Sequence, residues 1–379
     1  MARDTRIGII GCGNISDTYF SFAPLFKGLA VVACADLKAP LAKAKAEKYG
    51  VRAETVDGLL KSDDVDLVIN LTIPAAHFSV TQAILSAGKH AYSEKPLALG
   101  AADARKLLAD AERRGLKLGG APDTFLGPSA QVPRRLIDKG TIGAVIAGTA
   151  YVMSHGMEHW HPNPGFFYKP GAGPVFDIGP YYITTLVSLL GPVRGVVAMA
   201  RKGFAERRVS AEGPMKGKAV KVTTPTTINA VLDFASGAQI TLGASWDVWK
   251  HGHSNPIELY GEKGSMLVPD PNFFGGQVAW SAGNDDYAVV DTSDEVFGVP
   301  NWPASGPNRA NYRMLGVADM VDAIRKNREP RCSGRLTAHV VDVMESILRA
   351  AAERKHIRIR STTDRPAPLT AADAKRLLA

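Results

Sequence analysis

The chain has 379 residues, of which 45% are hydrophobic, and a formal net charge of +8. This length exceeds what one hydrophobic core usually serves and predicts two domains. The dispersed Lys and Arg residues, without an RNA-binding aromatic motif, argue against a nucleic-acid partner. The three cysteines have no CxxC or Cys/His spacing, which argues against disulfides and structural zinc and favours a reducing cytoplasm.

The beginning of the chain, MARDTRIGIIG, has no basic region followed by an apolar stretch and a small-residue cleavage site. No later stretch approaches the roughly 18 uninterrupted apolar residues that a membrane span needs. These observations predict a soluble cytoplasmic protein without a membrane partner.

The first predicted elements are a strand over residues 6–10, the glycine-rich segment GCGNIS and a helix over residues 17–26. A strand, a tight turn and a helix in this order are typical of a site for the pyrophosphate of a dinucleotide. Gly11 permits the tight turn, and Gly13 lets the backbone approach an anion at the helix N-terminus.

Three further residues complete this predicted binding loop. Asn14 and Ile15 lie near the helix N-terminus, where free N–H groups and the helix dipole favour an anion. Ser16 stands where the dinucleotide fingerprint has its third glycine, a position that serves packing and tolerates a small residue. An ordinary glycine-rich turn is the alternative interpretation.

The second predicted strand, LAVVACAD, ends in Asp36, 23 residues after Gly13. This is near the distance expected for the acid that accepts the ribose hydroxyls. A carboxylate there repels a 2′-phosphate and so favours NAD over NADP, although Lys38 could offset the charge. Alternatively, Asp36 caps the following helix, and the two roles are compatible.

The segments DVDLVINLTIP, HAYSEKPLAL and LKLGGAP predict further strands, separated by the helix HFSVTQAILSAGK and a helix over residues 101–114. Alternation of strands and helices predicts five or six parallel strands in a doubly wound sheet, an α/β fold. This Rossmann domain is expected to occupy residues 1–123. A second, α+β domain would then comprise residues 124–379.

The second predicted domain contains about six antiparallel strands, in IAGTAYVM, VRGVVAMARKG, TTINAVLDF, QITLGASW, PIELYG and GSMLVP. Between the first two, GAGPVFDIGPYYITTLVSLLG predicts a loop entering an amphipathic helix with Asp177 and Tyr181 on one face. Residues 203–225 and 270–310 read as loops or interface arms. Residues 312–326 and 337–355 predict two terminal helices with apolar periodicity.

Between the first two of these strands also lies the segment SHGMEHWHPNPGFFY, which is rich in aromatic residues. His159 and His161 have no accompanying ligand set at suitable spacing, so we predict no metal there. We assign Trp160 to stacking on sugar C–H surfaces, and His161 and Asn163 to hydrogen bonds with hydroxyls. A packed aromatic loop is the alternative.

The ordered motifs GIIGCGNIS, LTIPAAH, AGKHAYSEKPLA and GAGPVFDIGPYY, together with Asp36, resemble the Gfo/Idh/MocA family of oxidoreductases over nearly the full chain. The resemblance implies a Rossmann domain followed by a domain with a large, mostly antiparallel sheet. That sheet would carry substrate on one face and often an oligomer interface on the other, which suggests a homodimer or homotetramer. It also implies that the terminal helices pack back against the first domain.

Glu94, Lys95 and Pro96 match the family's EKP motif, whose lysine lies beside the nicotinamide and the reacting hydroxyl. A lysine at the carboxyl edge of a parallel strand faces the ligand crevice, where desolvation is expected to lower its pKa. The following proline restricts Lys95 to extended geometry. Without the family context, a solvated turn would be the favoured interpretation of this pair.

Thr72, Pro74 and His77 match the family's loop under the nicotinamide ribose, where they imply backbone contacts and shape. His77 alternatively caps the next helix or is hydrogen-bonded within the crevice. Asp123 occupies the domain junction, where the family commonly has Asn or Arg in contact with substrate. A carboxylate there suggests a neutral, hydroxyl-rich substrate.

Many members of the family have histidine at the position of Tyr181. This chain instead resembles glucose–fructose oxidoreductase and the dihydrodiol dehydrogenases, which also use tyrosine there. A phenol needs a neighbouring positive charge to act as a base, so we assign Lys95 and Tyr181 jointly to proton transfer. Asp177 would orient the substrate or tune Lys95. Alternatively, Asp177 caps the helix and Tyr181 packs beneath it.

The resemblance implies hydride transfer between NAD and a secondary alcohol of a sugar, polyol or cyclitol. One alternative is a lyase, epimerase or glycosidase that oxidises its sugar transiently with tightly held NAD. A second is a non-catalytic NAD-binding sensor, against which the intact EKP motif argues.

Overall fold

The computed structural model describes residues 3–253, 255–302 and 309–379. Its first sheet consists of six parallel strands in the order β3-β2-β1-β4-β5-β6. The strands are β1 (Thr5–Ile10), β2 (Leu29–Ala35), β3 (Arg52–Glu54), β4 (Leu67–Asn70), β5 (His90–Ser93) and β6 (Leu118–Gly120). The order reverses at β1, which places a crevice at the carboxyl ends of β1 and β4. The predicted doubly wound sheet is confirmed.

Five helices connect these strands, namely α1 (Asn14–Phe22), α2 (Ala39–Tyr49), α3 (Val56–Lys61), α4 (Pro74–Ser86) and α5 (Ala101–Arg113). The first begins three residues earlier than predicted and gives way to a 3-10 turn over Ala23–Leu25. Pro24 has no N–H to donate and restricts the residue before it, which explains why the α-helix ends here.

The second sheet is a mixed sheet of nine strands in the order β16-β15-β14-β13-β7-β12-β11-β8-β17. Its strands are β7 (Val145–Met153), β8 (Val193–Arg201), β11 (Thr227–Phe234), β12 (Gln239–Ser245), β13 (Ile257–Gly261), β14 (Gly264–Val268), β15 (Val278–Ala282), β16 (Ala288–Val290) and β17 (Ile357–Arg358). The central β7 and β12 pair in parallel, whereas the other pairings in the described residues are antiparallel. The six predicted strands are confirmed, but the sheet is larger and not wholly antiparallel.

Two segments interpreted as loops contain short strands. A hairpin of β9 (Glu206–Arg208) and β10 (Ala219–Lys221) lies within residues 203–225, and β15 and β16 lie within residues 270–310. The strands β9, β10 and β16 have three residues each and are too short to show a clear alternating pattern, which explains why the sequence did not reveal them. Residues 303–308 of the second segment lie outside the described residues.

The remaining helices are α6 (Pro128–Asp138), α7 (Gly173–Asp177), α8 (Gly179–Leu190), α9 (Leu315–Arg325), α10 (Gly334–Glu353) and α11 (Ala371–Leu377). All twelve residues of α8 are buried, so the prediction of an amphipathic helix is wrong. This helix is enclosed by α6, α10 and β7, which leaves no face for solvent.

The terminal helices pack back against the first sheet, as the resemblance implied. Helix α10 lies on α5 and β6, and Glu345 on α10 accepts a hydrogen bond at 2.7 Å from the N–H of Ala101. The N–H of Gly120 donates to the carbonyl of Cys332 at 3.0 Å. None of the helices in the described ranges combines the length and apolar character needed to cross a bilayer.

Candidate active site

The glycine-rich loop after β1 has the shape that a dinucleotide needs. Gly11 has φ +102°, and a Cβ there would lie 2.6 Å from the backbone of Leu71. A Cβ on Gly13 would meet nothing within 4 Å, so the approach to this residue is open. Because no side chain caps α1, its N-terminal N–H groups at Asn14 and Ile15 are oriented for an anion.

Asp36 lies at the carboxyl end of β2 and accepts two backbone hydrogen bonds at 2.8 Å, from the N–H groups of Cys12 and Lys38. It therefore ties the glycine-rich loop to β2. Lys38 occupies the N-cap position of α2, and no side-chain hydrogen bond caps this helix. The alternative in which Asp36 is the helix cap is therefore wrong. Exposed Leu37 (96%) and Ile73 (69%) flank the loop and offer apolar surface for a flat base. These features fit a bound dinucleotide.

The loop after β4 is joined to the EKP segment by His77. The Nδ1 atom of His77 lies 2.6 Å from the carbonyl oxygen of Pro96, and its Nε2 atom lies 2.9 Å from the carbonyl oxygen of Thr72. Pro74 is the first residue of α4, whose N-cap is Ile73 without a side-chain bond. His77 is thus hydrogen-bonded within the crevice and does not cap the helix.

Lys95 follows β5 and reaches across to the second domain. Its Nζ donates to the backbone carbonyl of Asp177 at 2.8 Å and to the carboxylate Oδ1 of Asp177 at 3.0 Å. The same Nζ lies 5.4 Å from the ring centroid of Tyr181. Glu94 accepts from the hydroxyl of Tyr19 at 2.8 Å and from the N–H of Lys95 at 3.0 Å. The solvated-turn interpretation is wrong, because Lys95 is largely buried.

The electrostatics of Lys95 reverse the expectation drawn from burial. Desolvation lowers the pKa of Lys95, but the negative charge of Asp177, followed by interactions with Tyr181 and Glu94, raises it by more. The net pKa lies above the ordinary value, so the predicted lowering is wrong. In this arrangement Lys95 is a protonated hydrogen-bond donor rather than a base.

Asp177 and Tyr181 are brought together by a break in the chain rather than by one helix. Asp177 ends α7, Ile178 separates the two helices, and Tyr181 lies in the first turn of α8. No side chain caps α8, so Asp177 does not have the alternative role of its cap. The break directs both the carbonyl and the carboxylate of Asp177 toward Lys95.

Asp123 is only 2% exposed and accepts a hydrogen bond at 3.0 Å from the N–H of Gly316, in the first turn of α9. Burial raises the pKa of Asp123 to about 6, although the Gly316 N–H and the charge of Arg313 oppose the rise. Its contact with substrate stays a prediction. The observed contact joins the first domain to α9.

Arg313 is a site residue that the sequence analysis did not find. Its guanidinium donates to Asn311 Oδ1 at 3.1 Å and to Asn272 Oδ1 at 3.2 Å. Desolvation lowers its pKa, but electrostatic interactions, mainly with Tyr181 and to a smaller extent with Asp123 and Glu94, raise it by more. The segment NYRMLG carries no motif that would have singled it out.

The aromatic segment after β7 partly supports the packed-loop alternative. His161 contacts Phe166 and Phe167 edge-on, and its Nδ1 accepts from the N–H of Asn163 at 3.0 Å. Trp160 is 56% exposed, and Asn163 is also exposed. The assignment of Trp160, His161 and Asn163 to substrate stays a prediction.

A buried ionic cluster lies at the base of the same loop. Arg207 pairs with Glu158 at 3.0 Å and with Asp247, and it donates to the carbonyl of Trp246 at 2.9 Å. Tyr168 also donates to Glu158. Arg207, which the sequence showed only as one of many dispersed cations, thus attaches β9 to the loop after β7.

A doubly wound sheet with an open anion-binding turn, beside a lysine, a carboxylate and a phenol, defines a nucleotide-dependent oxidoreductase. The model described as "Oxidoreductase family, NAD-binding Rossmann fold" matches residues 5–120, and that of the "GFO/IDH/MocA C-terminal domain" matches residues 131–267. The chain belongs to the Gfo/Idh/MocA family, and its first sheet lies within an NAD-binding domain.

Several curated proteins are similar in sequence. Inositol 2-dehydrogenase of Rhizobium meliloti (strain 1021) is 23% identical over 93% of this chain and 99% of its own length. The dTDP-3,4-didehydro-2,6-dideoxy-alpha-D-glucose 3-reductase of Streptomyces violaceoruber is 39% identical over 39% of this chain and 44% of its own length. The chain thus matches less than half of that reductase.

Solved structures share the fold over most of the chain. An NAD binding oxidoreductase from Klebsiella pneumoniae has a TM-score of 0.80 at 21% identity, covering 94% of this chain and 99% of that one. Levoglucosan dehydrogenase in complex with NADH and L-sorbose has a TM-score of 0.78 at 19% identity, with coverage of 94% and 99%. At these identities the likeness concerns the fold alone.

Proposed function

We propose that the protein is an NAD-dependent dehydrogenase of a secondary alcohol on a sugar, polyol or cyclitol. The observation that carries the proposal is the contact of the Lys95 ammonium with Asp177, beside the ring of Tyr181 and at the same sheet edge as the glycine-rich loop. Relatives named inositol 2-dehydrogenase and dTDP-3,4-didehydro-2,6-dideoxy-alpha-D-glucose 3-reductase support the substrate class.

The residues that would hold NAD follow from this sheet edge. Asp36 suits the adenosine ribose and favours NAD over NADP, because a carboxylate repels a 2′-phosphate. The nicotinamide end would lie beside Glu94 and Lys95. Bound NAD supplies the hydride acceptor. The pyrophosphate and the nicotinamide ribose would contact the two loops formed by Gly11, Gly13, Asn14 and Ile15 and by Thr72, Pro74 and His77.

The protein's own groups would orient the alcohol and move its proton. Lys95, kept protonated by Asp177, donates a hydrogen bond to the substrate oxygen. Tyr181 in its phenolate form would accept the hydroxyl proton, and Asp177 holds the Lys95 ammonium in place. Substrate contacts are proposed for these three residues and for Asp123, Trp160, His161 and Asn163.

The test is NADH formation across a panel of neutral sugars, polyols and cyclitols. We compare the wild type with Lys95→Ala, and use Lys106→Ala, which removes an exposed lysine on α5, as the matched control. We expect turnover in the wild type and in the control, and a loss of at least about a hundredfold in kcat for Lys95→Ala. A Lys95→Ala variant as active as the wild type would contradict the proposal.

We further propose that the first domain ends at residue 123 and that residues 124–379 form the second domain, consistent with family matches on either side of this boundary. Three free, buried cysteines support a reducing, cytoplasmic setting.

We also propose a homodimer or homotetramer assembled through the second sheet. Its outer face carries exposed apolar side chains, including the cross-strand pair Val197 and Val231, with Met199 and Tyr260 on the same face. Such a face is typical of a surface that another subunit covers.

A further inference from the structure

The backbone of the EKP segment leaves the first sheet at the carboxyl end of β5. The N–H of Glu94 still donates to the carbonyl of Asn70 on β4 at 2.8 Å. The N–H of Lys95 instead donates to a side chain, at the Oε2 atom of Glu94, at 3.0 Å, and Pro96 has no N–H to donate. The direction in which Lys95 leaves the sheet therefore depends on the position of the Glu94 carboxylate.

That carboxylate is held by a residue of the first helix. Its other oxygen, Oε1, accepts a hydrogen bond at 2.8 Å from the hydroxyl of Tyr19. The Tyr19 side chain is only 1% exposed, and burial, together with the charge of Glu94, raises the pKa of Tyr19 well above its ordinary value. The hydroxyl therefore stays protonated and donates. A hydrogen bond to a carboxylate is among the stronger ones in proteins.

Tyr19 belongs to the helix that begins at the glycine-rich loop. Helix α1 starts at Asn14, at the proposed pyrophosphate site, and Tyr19 lies near the middle of this helix. Hydrogen bonds thus run from α1 through Tyr19 and Glu94 to the backbone of Lys95. The ammonium of Lys95 in turn contacts Asp177 in the second domain at 3.0 Å. The bond between Tyr19 and Glu94 therefore joins the cofactor loop to the lysine.

We propose that Tyr19 is a positioning residue, which holds the Glu94 carboxylate against the N–H of Lys95 and so keeps the lysine ammonium on Asp177. Loss of the Tyr19 hydroxyl removes the donor from one carboxylate oxygen, and the segment that carries Lys95 is then held less firmly. An error of about 1 Å in the placement of a catalytic group can cost about a hundredfold in rate. The kinetic consequence rests on the proposed dehydrogenase function, whereas the position of the lysine does not.

The first experiment measures how firmly Lys95 is held, without cofactor or substrate. Lysines are acetylated with a trace of acetic anhydride, and the extent at each position is read by mass spectrometry. We expect Lys95 to react at least about threefold faster in Tyr19→Phe than in the wild type, because a less firmly held ammonium is exposed more often. The internal reference is Lys89, a buried lysine of the same domain that donates to the carbonyls of Ser62 and Val65. Its rate is expected to stay unchanged.

The matched control is Tyr49→Phe. It removes the same hydroxyl from another tyrosine–carboxylate hydrogen bond of α1, that of Tyr49 with Asp17 at 2.7 Å. We expect Lys95 to react in this control as it does in the wild type. Reaction of Lys95 at the wild-type rate in Tyr19→Phe would overturn the inference. An equal increase at Lys89 would overturn it too, because it would indicate a general loosening of the domain.

A double-mutant cycle tests whether Tyr19 acts through Glu94. Glu94→Gln offers one acceptor oxygen in place of two, so we expect Lys95 to react faster in this variant as well. This variant also keeps the inference testable if Tyr19→Phe does not fold. We expect the double variant to react no faster than the faster single variant, because both changes break the same connection. Effects that multiply would show that Tyr19 acts independently of Glu94 and would contradict the inference.

The second experiment compares kcat, KM and cofactor binding. We expect kcat for alcohol oxidation by Tyr19→Phe to fall about tenfold, while KM for the alcohol and the Kd for NADH, followed by its fluorescence, stay within about twofold of the wild type. Weaker NADH binding at an unchanged kcat would assign Tyr19 to the cofactor and contradict the inference. A failed dehydrogenase assay leaves the acetylation result valid, so the two proposals fail separately.

Discussion

At the scale of single residues, neighbouring charges decide the protonation state of the buried groups Lys95 and Asp123. Lys95 and Asp123 both lie away from solvent, and burial opposes the charged form of each. The charge of Asp177 outweighs the effect of burial on the pKa of Lys95. Arg313 and the Gly316 N–H, in contrast, only partly offset the effect of burial on the pKa of Asp123. As a result, Lys95 stays charged, while the pKa of Asp123 lies near 6.

The raised pKa of Asp123 predicts a pH dependence of stability. Between its ordinary pKa of 3.8 and its folded value of about 6, the folded protein holds the proton more tightly than the unfolded chain. The stabilisation that Asp123 contributes is therefore fully present below pH 3.8, and it is lost as the pH rises from 3.8 to about 6. Asp123→Asn, which keeps an acceptor for Gly316, removes the dependence.

We expect the free energy of unfolding of Asp123→Asn to increase by about 2 kcal/mol relative to that of the wild type between pH 4 and pH 7. The reason is that a difference of one pH unit between the folded and unfolded pKa of a group corresponds to about 1.4 kcal/mol. Urea titrations at the two pH values measure it. Asp103→Asn, at an exposed carboxylate on α5, is the control. A constant difference between Asp123→Asn and the wild type would contradict the raised pKa.

At the scale of elements, short breaks and buried pairs position the functional groups. Ile178 interrupts α7 and α8, and this break directs Asp177 at Lys95. In the same domain Arg207 connects β9 to the loop after β7 through Glu158 and to the end of β12 through Asp247. The loop carrying Trp160 depends on that cluster for its position.

Removing the Arg207 charge should destabilise the second domain strongly. Arg207→Met leaves the buried carboxylates of Glu158 and Asp247 without their cation, at an expected cost of about 3–5 kcal/mol. Arg208→Met is the matched control, since its neighbouring side chain is exposed and bonds the carbonyl of Gly217; it should cost less than about 1 kcal/mol. Urea unfolding at pH 7 compares the two, and equal costs would show that the ionic cluster contributes little.

At the scale of the whole molecule, one apolar surface and one basic cluster stand out. The outer face of the second sheet is the surface proposed for assembly. The basic cluster, Arg349, Lys355, Arg358 and Arg360, lines a cavity of about 700 Å³ beside the end of α10. These cations were predicted to be dispersed but lie together, so only the lack of an RNA-binding aromatic motif in the sequence still speaks against a nucleic-acid partner.

A charge on the outer face should disrupt assembly. We expect Met199→Glu and Val231→Glu to shift the protein toward the monomer in sedimentation equilibrium, because a carboxylate in an apolar interface is desolvated without a partner. Lys106→Glu, at an exposed position of α5 in the first domain, serves as the control. A monomeric wild type, or variants that assemble as the wild type does, would contradict an interface on this face.

The sequence by itself determined the first sheet, the glycine-rich loop and the membership of Lys95, Asp177 and Tyr181 in one site. These features depend on local patterns and motifs: apolar runs, a glycine at φ +102° and the EKP segment. Only the tertiary structure decided the charge state of Lys95, the break at Ile178 and the presence of Arg313. The charge state of Lys95 and the position of Arg313 depend on contacts between residues far apart in the chain, and a local pattern contains no distance between Lys95 and Asp177 or between Arg313 and Asn272.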